Sequence, residues 1–579
     1  MKKYLLLLLV LTACKIEKES ANYDFTTRFE KSNGTETATY QEIVEFYETL
    51  AETYPAVKFR NSGRTDSGEF LKLVTLNPSP ETNYNNIREK KRIIFINNGI
   101  HPGESDGIDA TMMLFRDIVQ GKIELPEHVM LATIPVYNVG GALNRNSGTR
   151  ANQNGPEEYG FRGNAKNYDL NRDFIKSDTR NASSFARIFH ALQPDVLIDN
   201  HVSNGADYQY TLTHLFTQHD KLGGALGKYL HNEMIPSLEK DLQAKDWDIT
   251  PYVNVFNRTP EQGFSQFLDS PRYSTGYTTL WNTLGMMVET HMLKPYKQRV
   301  EGTYELMKSM MELVERDHEK IKSLREQSDA AFRNAEHYSL QWEIDSTSTS
   351  ILNFKGFEGE MIISEVTGSP RLKYDRNKPF TKKIPYYNFF KPKKDVTIPK
   401  AYLVPKVWRK VVSRLEFNDI ELEELKDSDS LDVEVYRIES YETYSRPYEG
   451  HYPHYNTSVS TSVEKVYIDE DDYYLVNTDQ RGIRYLLETL EPTAPDSFFN
   501  WNFFDTILQQ KEGFSPYVWE DEALKLLERN DPLKSEFETK KLAEPDFASN
   551  WYAQLDWLFK RSANYEKAHL RYPVYRIAK

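Results

Sequence analysis

The stretch that decides the fold reads Ile93-Ile-Phe-Ile-Asn-Asn-Gly-Ile100, followed directly by His101-Pro-Gly-Glu104. A short apolar run that ends in Asn and Gly is typical of a buried strand that enters a loop. His101 and Glu104 then fall on that loop, where Gly103 allows the backbone to turn tightly between them. We therefore expect two functional polar side chains, His101 and Glu104, at the carboxyl end of a core strand.

A second apolar strand, Pro194-Asp-Val-Leu-Ile-Asp-Asn200, leads directly to His201. Two imidazoles and one carboxylate can hold a zinc ion and leave its fourth position open, as in catalytic rather than structural zinc sites. His101, Glu104 and His201 are therefore a candidate metal site.

From Thr39 to about Ser328, short apolar strands alternate with helical stretches. We predict strands at 71–76, 93–96, 130–137, 196–199 and 285–289, and helices at 40–50, 110–119 and, as one long helix, 297–328. This alternation predicts an α/β fold, with a mixed, mostly parallel twisted sheet and helices on both faces.

Beyond about residue 334, short strands are separated by Pro, Asn, Asp and Gly turns, and the last hundred residues are helical again. The predicted division is a signal peptide (1–14), a tether (15–37), a catalytic domain (38–330), a β-rich domain (331–480) and a helical C-terminal region (481–579). The C-terminal part could be a scaffold, a specificity lid or a glycan-binding module. Its two close histidines, His451 and His454, could form a second metal site, but a packing role in a loop is the simpler interpretation.

The N-terminus has the pattern of an export signal: Lys2-Lys3, an apolar run over 5–11, and then Leu11-Thr-Ala-Cys14. It resembles a bacterial lipoprotein box, in which Cys14 is lipidated and becomes the mature N-terminus. The alternative is an ordinary signal peptide with an incidental cysteine. The lipoprotein interpretation predicts an exported protein that its lipid anchors to a bacterial membrane, in the periplasm or at the cell surface.

Composition narrows the possible partners. Cys14 is the only cysteine among 579 residues, so the chain can form no internal disulfide and offers no thiolate cluster for a metal. The net charge of −14 and the lack of a basic cluster argue against nucleic acid as a partner.

Two further motifs follow the first candidate ligands along the chain. They are Asp169-Leu-Asn-Arg-Asp-Phe174 and Met287-Val-Glu-Thr-His291. Together with the two metal motifs, and in the same order, they resemble the zinc metallocarboxypeptidases of the carboxypeptidase A type, over residues 38–330. Carboxypeptidase A is itself a standard example of a two-histidine, one-glutamate zinc site. The resemblance implies one zinc per chain, bound by His101, Glu104 and His201, and a peptide substrate with a free C-terminus.

The resemblance also implies roles for other residues. Asn171 and Arg172 would bind the terminal carboxylate of the substrate, which suits the two-pronged geometry of a guanidinium. Glu289 would be the general base, and Asp169 would orient the first histidine ligand. Arg162 would stabilise charge on the scissile carbonyl.

Some assignments leave alternatives open. Arg145 and Arg150 compete with Arg162 for the role at the carbonyl. No tyrosine matches the family's capping tyrosine cleanly, and Tyr273 is chosen over Tyr277. The position that would set side-chain specificity falls near Ser274, so no preference can be inferred. His291 is interpreted as a packing or supporting residue, not a ligand.

The sequence thus predicts a zinc-dependent carboxypeptidase that hydrolyses the C-terminal peptide bond. One alternative is a peptidase of cell-wall peptides (muropeptides) on the same fold. Another is a catalytically inactive binding lipoprotein, against which the complete ligand set and Glu289 argue. An amidase is disfavoured because Asn171 and Arg172 are both present.

Overall fold

The structure is a computed structural model and describes residues 23–579. The predicted signal peptide and lipidated Cys14 lie outside the described residues. The described part of the predicted tether packs on the domain, which corrects that assignment. Phe25 and Phe29 are buried in the core, and a short helix begins there with Thr27 as its cap. These two aromatic side chains are the physical reason, because burying them stabilises the packed position.

The first part of the chain forms one large sheet and a short strand beside it. Its strands are β1 Val57–Arg64, β2 Phe70–Leu76, β3 Arg92–Asn97, β4 Val129–Ile134, β5 Val196–Ser203, β6 Leu212–Phe216, β7 Ile249–Pro251, β8 Phe264–Ser265 and β9 Leu284–His291. The eight-stranded sheet has the order β1-β2-β4-β3-β5-β9-β6-β7. Its centre, from β4 through β3 and β5 to β9, is parallel, and so is the β6–β7 pair at one edge. The pairs β1–β2, β2–β4 and β9–β6 are antiparallel. The predicted mixed, mostly parallel sheet is confirmed.

Helices cover both faces of this sheet. They are α1 Arg28–Lys31, α2 Tyr40–Thr53, α3 Tyr84–Lys90, α4 Asp106–Val119, α5 Val139–Leu143, α6 Arg180–Leu192, α7 His219–Leu222, α8 Gly224–Tyr229, α9 Ile235–Gln243, α10 Ser274–Thr279, α11 Tyr296–Arg316 and α12 His318–Arg333. The single long helix predicted over 297–328 is wrong, because the chain leaves helical geometry at Asp317. The carboxylate of Asp317 accepts a 2.7 Å hydrogen bond from the Tyr229 hydroxyl, which fixes the break against α8.

Alternate side chains of β3 point to opposite faces of the sheet and pack into two different hydrophobic cores. Ile94 and Ile96 pack in a core with α2, α4, α9 and α11, whereas Ile93 and Phe95 face the opposite side. All six residues of this strand are buried, as expected for a central strand of a sheet with helices on both sides. The sheet therefore holds the loop after β3 at the centre of the molecule.

The C-terminal region completes the second core. Its strands are β10 His337–Ile344, β11 Ser350–Ile363, β12 Pro370–Tyr387, β13 Phe390–Thr397, β14 Ala401–Pro405, β15 Glu423–Glu424, β16 Asp429–Thr443, β17 His454–Ile468, β18 Tyr473–Asn477 and β19 Tyr575–Ile577. Its helices are α13 Arg409–Phe417, α14 Ile483–Leu490, α15 Pro516–Arg529, α16 Asp531–Ala543, α17 Pro545–Ser549 and α18 Trp551–Phe559. Tyr402, Tyr485 and Phe499 share one core with Phe95 of β3, so this region packs directly on the sheet of the first part.

Candidate metal centre and catalytic cavity

The structure brings His101, Glu104 and His201 together at the carboxyl ends of β3 and β5. Their donor atoms lie within 4.8 Å of one another, and all three side chains are buried. His101 and Glu104 are joined by a tight turn, with the Glu104 backbone N–H donating to the His101 carbonyl at 2.7 Å. Gly103 suits this turn, because a Cβ there would approach Arg150 Cδ to 2.5 Å and the backbone carbonyl oxygen of Gly160 to 3.0 Å.

Each histidine is held by a carboxylate on the side of its ring that faces away from Glu104. Nδ1 of His101 and of His201 lie 3.2 and 3.0 Å from the Glu104 oxygens. Nε2 of His101 lies 2.8 Å from Asp169, a distance at which Asp169 can orient the ring, and Nε2 of His201 lies 2.9 Å from Asp199. Asp199 was not predicted from the sequence, although a residue two positions before His201 in a strand lies on the same strand face. Both rings therefore have a fixed orientation with Nδ1 directed to one point.

The electrostatics of this cluster favour a bound cation. Burial would lower the pKa of His201, yet the carboxylates of Asp199 and Glu104 raise it well above its usual value. Burial would raise the pKa of Glu104, yet Arg150 and His101 hold it well below its usual range. A charged carboxylate between two imidazoles is a donor set that suits zinc. Among residues 23–579, no other group of three His, Cys, Asp or Glu side chains meets in this way, so His451 and His454 form no such cluster.

Glu289 lies beside His201 on the neighbouring strand. The two residues are direct partners in the parallel register of β5 and β9, so their side chains point to the same face. Burial raises the pKa of Glu289 to about 8, with His201 opposing and Glu104 adding to the shift. Its Oε2 atom is buried and has no hydrogen-bond partner among the described residues. Glu289 as a whole is half-buried, and a carboxylate with a free, buried oxygen beside the candidate ligands is suited to accept a proton.

Asn171 and Arg172 lie on a short turn that Asp169 caps, across the same cavity. Asp169 Oδ1 accepts from the Asn171 backbone N–H at 3.0 Å, and Asn171 Oδ1 accepts from the Ser274 backbone N–H at 3.3 Å. Both residues line the cavity with the three candidate ligands and Glu289. An amide and a guanidinium are thus presented together, as recognition of a carboxylate requires.

Three arginines were candidates for the role at the scissile carbonyl, and their positions differ. Arg162 lines the cavity and pairs with Asp169 at 2.8 Å, with one nitrogen 3.4 Å from His101 Nδ1. Arg150 donates to Glu104 at 2.7 Å. Arg145 instead donates to backbone carbonyls of residues 37, 38 and 158. The geometry therefore favours Arg162, with Arg150 as a close neighbour of the same cluster.

The two tyrosines considered for the capping role, Tyr273 and Tyr277, lie in different places. Tyr273 lines the cavity, and the Arg172 guanidinium lies 4.6 Å from the centre of its ring. Tyr277 is fully buried, and its hydroxyl donates to Asn418 at 2.6 Å, away from the cavity. Tyr252, which the sequence analysis missed, also lines the cavity. No motif surrounds it, because it reaches the site from the loop after β7.

Part of the cavity lining is apolar. The cavity has a volume of about 230 Å³, and Leu215, Phe267 and Met287 contribute apolar side chains to it. Phe267 lies close to Arg172, because its ring centroid is 4.9 Å from that of Tyr273, against which the Arg172 guanidinium packs. Ser274, which the sequence analysis placed at the specificity position, is fully buried. Among the described residues, the acidic side chains that line the cavity are Glu104 and Glu289, which are the candidate ligand and the candidate base.

The C-terminal region supports the site from two sides. Glu449, in the turn between β16 and β17, accepts a hydrogen bond from the Asp169 backbone N–H, and His451 pairs with Asp178 at 2.7 Å. His291 pairs with Asp207 at 2.9 Å, and Asp207 also pairs with Arg376 of β12 at 2.7 Å. His291 is thus outside the ligand cluster and ties β9 to the β11–β12 hairpin.

Comparisons with known proteins agree with this site. Residues 43–192 match the family model described as zinc carboxypeptidase, a range that contains His101, Glu104, Arg162, Asn171 and Arg172. Among characterised proteins, the chain is similar to carboxypeptidase 2 of Trichophyton rubrum, at 22% identity over 495 residues, covering 81% of this chain and 84% of the relative. Carboxypeptidase 2 of Trichophyton equinum is 22% identical over 496 residues, with the same coverage.

Solved structures with similarity to this chain include metallocarboxypeptidases. A metallo-carboxypeptidase from Burkholderia cenocepacia has 17% identity and a TM-score of 0.36, covering 48% of this chain and 70% of its own. Carboxypeptidase A from Helicoverpa armigera has 14% identity and a TM-score of 0.36, covering 52% of this chain and 77% of its own.

Proposed function

We propose that this chain, a hydrolase that carries a zinc carboxypeptidase domain, removes single residues from the C-termini of peptides. One observation carries the proposal. The three candidate zinc ligands, the free carboxylate of Glu289 and the Asn171–Arg172 pair all line one cavity. A metal site, a base and a carboxylate-binding pair are together what an exopeptidase of this kind requires.

The donor set fits zinc, with His101, Glu104 and His201 as its ligands. When bound, zinc supplies Lewis-acid activation of a water molecule and of the scissile carbonyl. Arg172 and Asn171 bind the terminal carboxylate and so place the C-terminal peptide bond at the metal site. Glu289 accepts the proton from the attacking water and transfers it to the leaving amine. Arg162 stabilises negative charge that develops on the carbonyl oxygen, and Tyr273 covers the bound carboxylate.

The apolar part of the cavity lining supports a preference for uncharged C-terminal side chains. Leu215, Phe267 and Met287 provide apolar surface, and the two carboxylates that line the cavity among the described residues, Glu104 and Glu289, are the candidate ligand and base and so are not free to pair with a terminal lysine or arginine. Burial of an apolar side chain stabilises binding by about 1.5–3 kcal/mol. We expect Leu, Met or Phe at the substrate C-terminus to be favoured over Lys, Arg, Asp and Glu.

Two alternatives use the same residues. Cell-wall peptides also end in free carboxylates, and their hydrolysis would need the same ligands, base and arginine. An inactive binding protein would not need Glu289, whose buried carboxylate is costly to keep without a function. The geometry supports an enzyme over a binding protein, and peptide hydrolysis is the function that we propose.

We further propose that the protein is exported and anchored by a lipid on Cys14. The support is the sequence of residues 1–14 alone. In residues 23–579, no helix is both long enough and apolar enough to cross a bilayer. The test is detergent partitioning of the expressed protein. Cys14→Ser should abolish lipid labelling and move the protein out of the detergent phase, whereas unchanged partitioning after cleavage at another site would refute the anchor.

The proposed activity is tested with purified protein and a set of N-blocked peptides that differ only in their last residue. Released amino acids are identified with and without a chelator, and zinc is added back after chelation. We expect single C-terminal residues to be released, the chelator to stop release and zinc to restore it. Cleavage at internal bonds, or activity that survives complete zinc removal, would contradict the proposal.

A further inference from the structure

A second cavity opens beside the metal cavity, and the β11–β12 hairpin of the C-terminal region forms one of its walls. It has a volume of about 680 Å³. Asn204 and Phe256 line both cavities, so the two are continuous. Asn204 follows β5, the strand of His201, which places the junction close to the metal ligands in the fold.

The wall that the hairpin provides is fixed to the first part of the chain. Gln209 Nε2 donates to the carbonyls of Gly356 and Phe380 at 2.8 and 2.9 Å, which holds both strands of the hairpin. The Tyr374 hydroxyl donates to the Arg258 carbonyl at 3.1 Å, which holds the loop that carries Phe256. The groove between hairpin and loop is therefore a preformed feature of the fold.

The position of the groove defines which part of a substrate it can receive. Arg172 lines the metal cavity and not the groove, whereas Asn204 and Phe256 line both and so lie where the two meet. A peptide whose C-terminal carboxylate reaches Arg172 can therefore pass the metal ligands and leave the cavity through the groove. We propose that the groove binds the residues on the N-terminal side of the scissile bond, which makes the C-terminal region a specificity element for extended peptides. This inference rests on the proposed carboxypeptidase function.

The lining indicates what kind of peptide fits. Phe256 and Met361 both line the groove and are 55% and 60% exposed, so they offer apolar surface to a bound peptide. Three asparagines, at 152, 204 and 257, offer amides that can pair with a peptide backbone. Among the described residues that line the groove, Arg371 is the one charged residue, and none is acidic. The groove therefore favours apolar side chains together with an acidic side chain near Arg371.

The experiment compares N-blocked peptides of two to six residues that share the same C-terminal dipeptide. We expect kcat/KM to rise at least about tenfold with length and then level off, because added residues bury apolar surface in the groove. Met361→Asp should remove most of this gain and leave kcat/KM of the dipeptide unchanged. Arg371→Glu should reverse a preference for Glu over Lys at the upstream positions. Lys393→Glu, an exposed β13 residue outside the groove lining, is the charge-matched control.

A binding measurement separates failure of this inference from failure of the proposed function. Fluorescence anisotropy of labelled peptides is measured with Glu289→Gln, which should bind substrate without turnover. Tighter binding of the hexapeptide than of the dipeptide, lost in the double variant with Met361→Asp, supports the groove even if hydrolysis is never observed. Equal affinity and equal kcat/KM at all lengths, or a length gain that Met361→Asp leaves intact, would overturn it.

Discussion

The backbone N–H of Asp169 donates a 2.8 Å hydrogen bond to the side-chain carboxylate of Glu449, which lies 280 residues further along the chain. Asp169 in turn pairs with His101 and Arg162, each at 2.8 Å. The turn that carries Glu449 fits closely, because a Cβ on Gly450 would approach the Tyr168 hydroxyl to 2.7 Å. The C-terminal region thus takes part in holding the first histidine of the candidate metal site.

Glu449 should therefore act as a positioning residue. Glu449→Ala removes the acceptor of the Asp169 N–H, and we expect kcat to fall about tenfold, equivalent to roughly 1.4 kcal/mol. Glu449→Gln retains an acceptor oxygen and should recover most of the activity. Steady-state kinetics and zinc content are measured for both variants, with thermal unfolding as a check on folding. A folded Glu449→Ala protein with normal kcat would show that this contact does not matter for catalysis.

Glu289→Gln tests the base. Glutamine has nearly the same shape but cannot accept the proton, so we expect turnover to fall by about 10²–10⁴. Zinc content should be unchanged, because Glu289 is not one of the three candidate ligands. Glu301→Gln, at an exposed position of α11, is the matched control. Near-normal turnover at full zinc occupancy would mean that another group activates the water.

The proposed metal site can be tested at two residues of β5, His201 and Asp199. His201→Ala removes one of three ligands, and we expect the variant to lose both stoichiometric zinc and activity. Asp199→Asn leaves the ligands in place but replaces the carboxylate that holds His201, and we expect zinc affinity to weaken about 10–100-fold. Zinc titration with a competing chelator measures both effects. If His201→Ala bound zinc with unchanged affinity, His201 would have to leave the ligand set.

We expect the ionisation of Asp109 to make the stability of the fold depend on pH. This carboxyl in α4 is fully buried, and burial raises its pKa to about 6, above 3.8 in the unfolded chain. The folded protein therefore binds this proton more tightly, so the contribution to stability is full below about pH 4 and is lost as pH rises through 6. Asp109→Asn removes the ionisation. Relative to this variant, the wild type should lose on the order of 1–3 kcal/mol between pH 4 and 7.

The measurement is the difference in denaturant midpoint between wild type and Asp109→Asn across that pH range. Because both proteins carry the same metal site, effects of pH on zinc binding largely cancel in the difference. A constant difference from pH 4 to 7 would mean that Asp109 ionises normally in the folded state.

Features that depend on neighbouring residues in the chain were predictable from the sequence. Residues 93–96 predicted a core strand because all four are apolar, and every residue of β3 is buried. Glu289 likewise follows an apolar run, which forms β9. The division of 297–328 at Asp317 was not predictable, because it depends on a hydroxyl from Tyr229, a residue of another helix.

The parts of the site that the sequence could not reveal depend on contacts between distant segments. Glu449 and Tyr252 carry no motif, and they reach the cavity region only because the C-terminal region and the loop after β7 fold back onto it. The packed tether was missed because two aromatic residues, Phe25 and Phe29, lie in an otherwise polar segment. Such contacts follow from three-dimensional packing and leave no periodic signal.

The central claim is that Arg172 and Asn171 recognise a free C-terminal carboxylate beside the metal. Amidation of the peptide removes that charge and replaces an acceptor oxygen with a donor nitrogen, so the partly buried guanidinium of Arg172 loses its charged partner on the substrate and, among the described residues, keeps only the carboxylate of Asp169 at 3.8 Å. Arg172 should therefore account for most of any discrimination between acids and amides. Arg180→Ala, at an exposed position near it in sequence, serves as the control.

The most direct measurement compares kcat/KM for one peptide as its free acid and as its C-terminal amide, in wild type and in Arg172→Ala. We expect the wild type to cut the amide at least about a hundredfold less efficiently, a factor that corresponds to roughly 2.7 kcal/mol. Arg172→Ala should lose most of this discrimination and keep its zinc, whereas Arg180→Ala should behave as the wild type. Equal cleavage of acid and amide by the wild type would contradict the assignment of this protein as a carboxypeptidase.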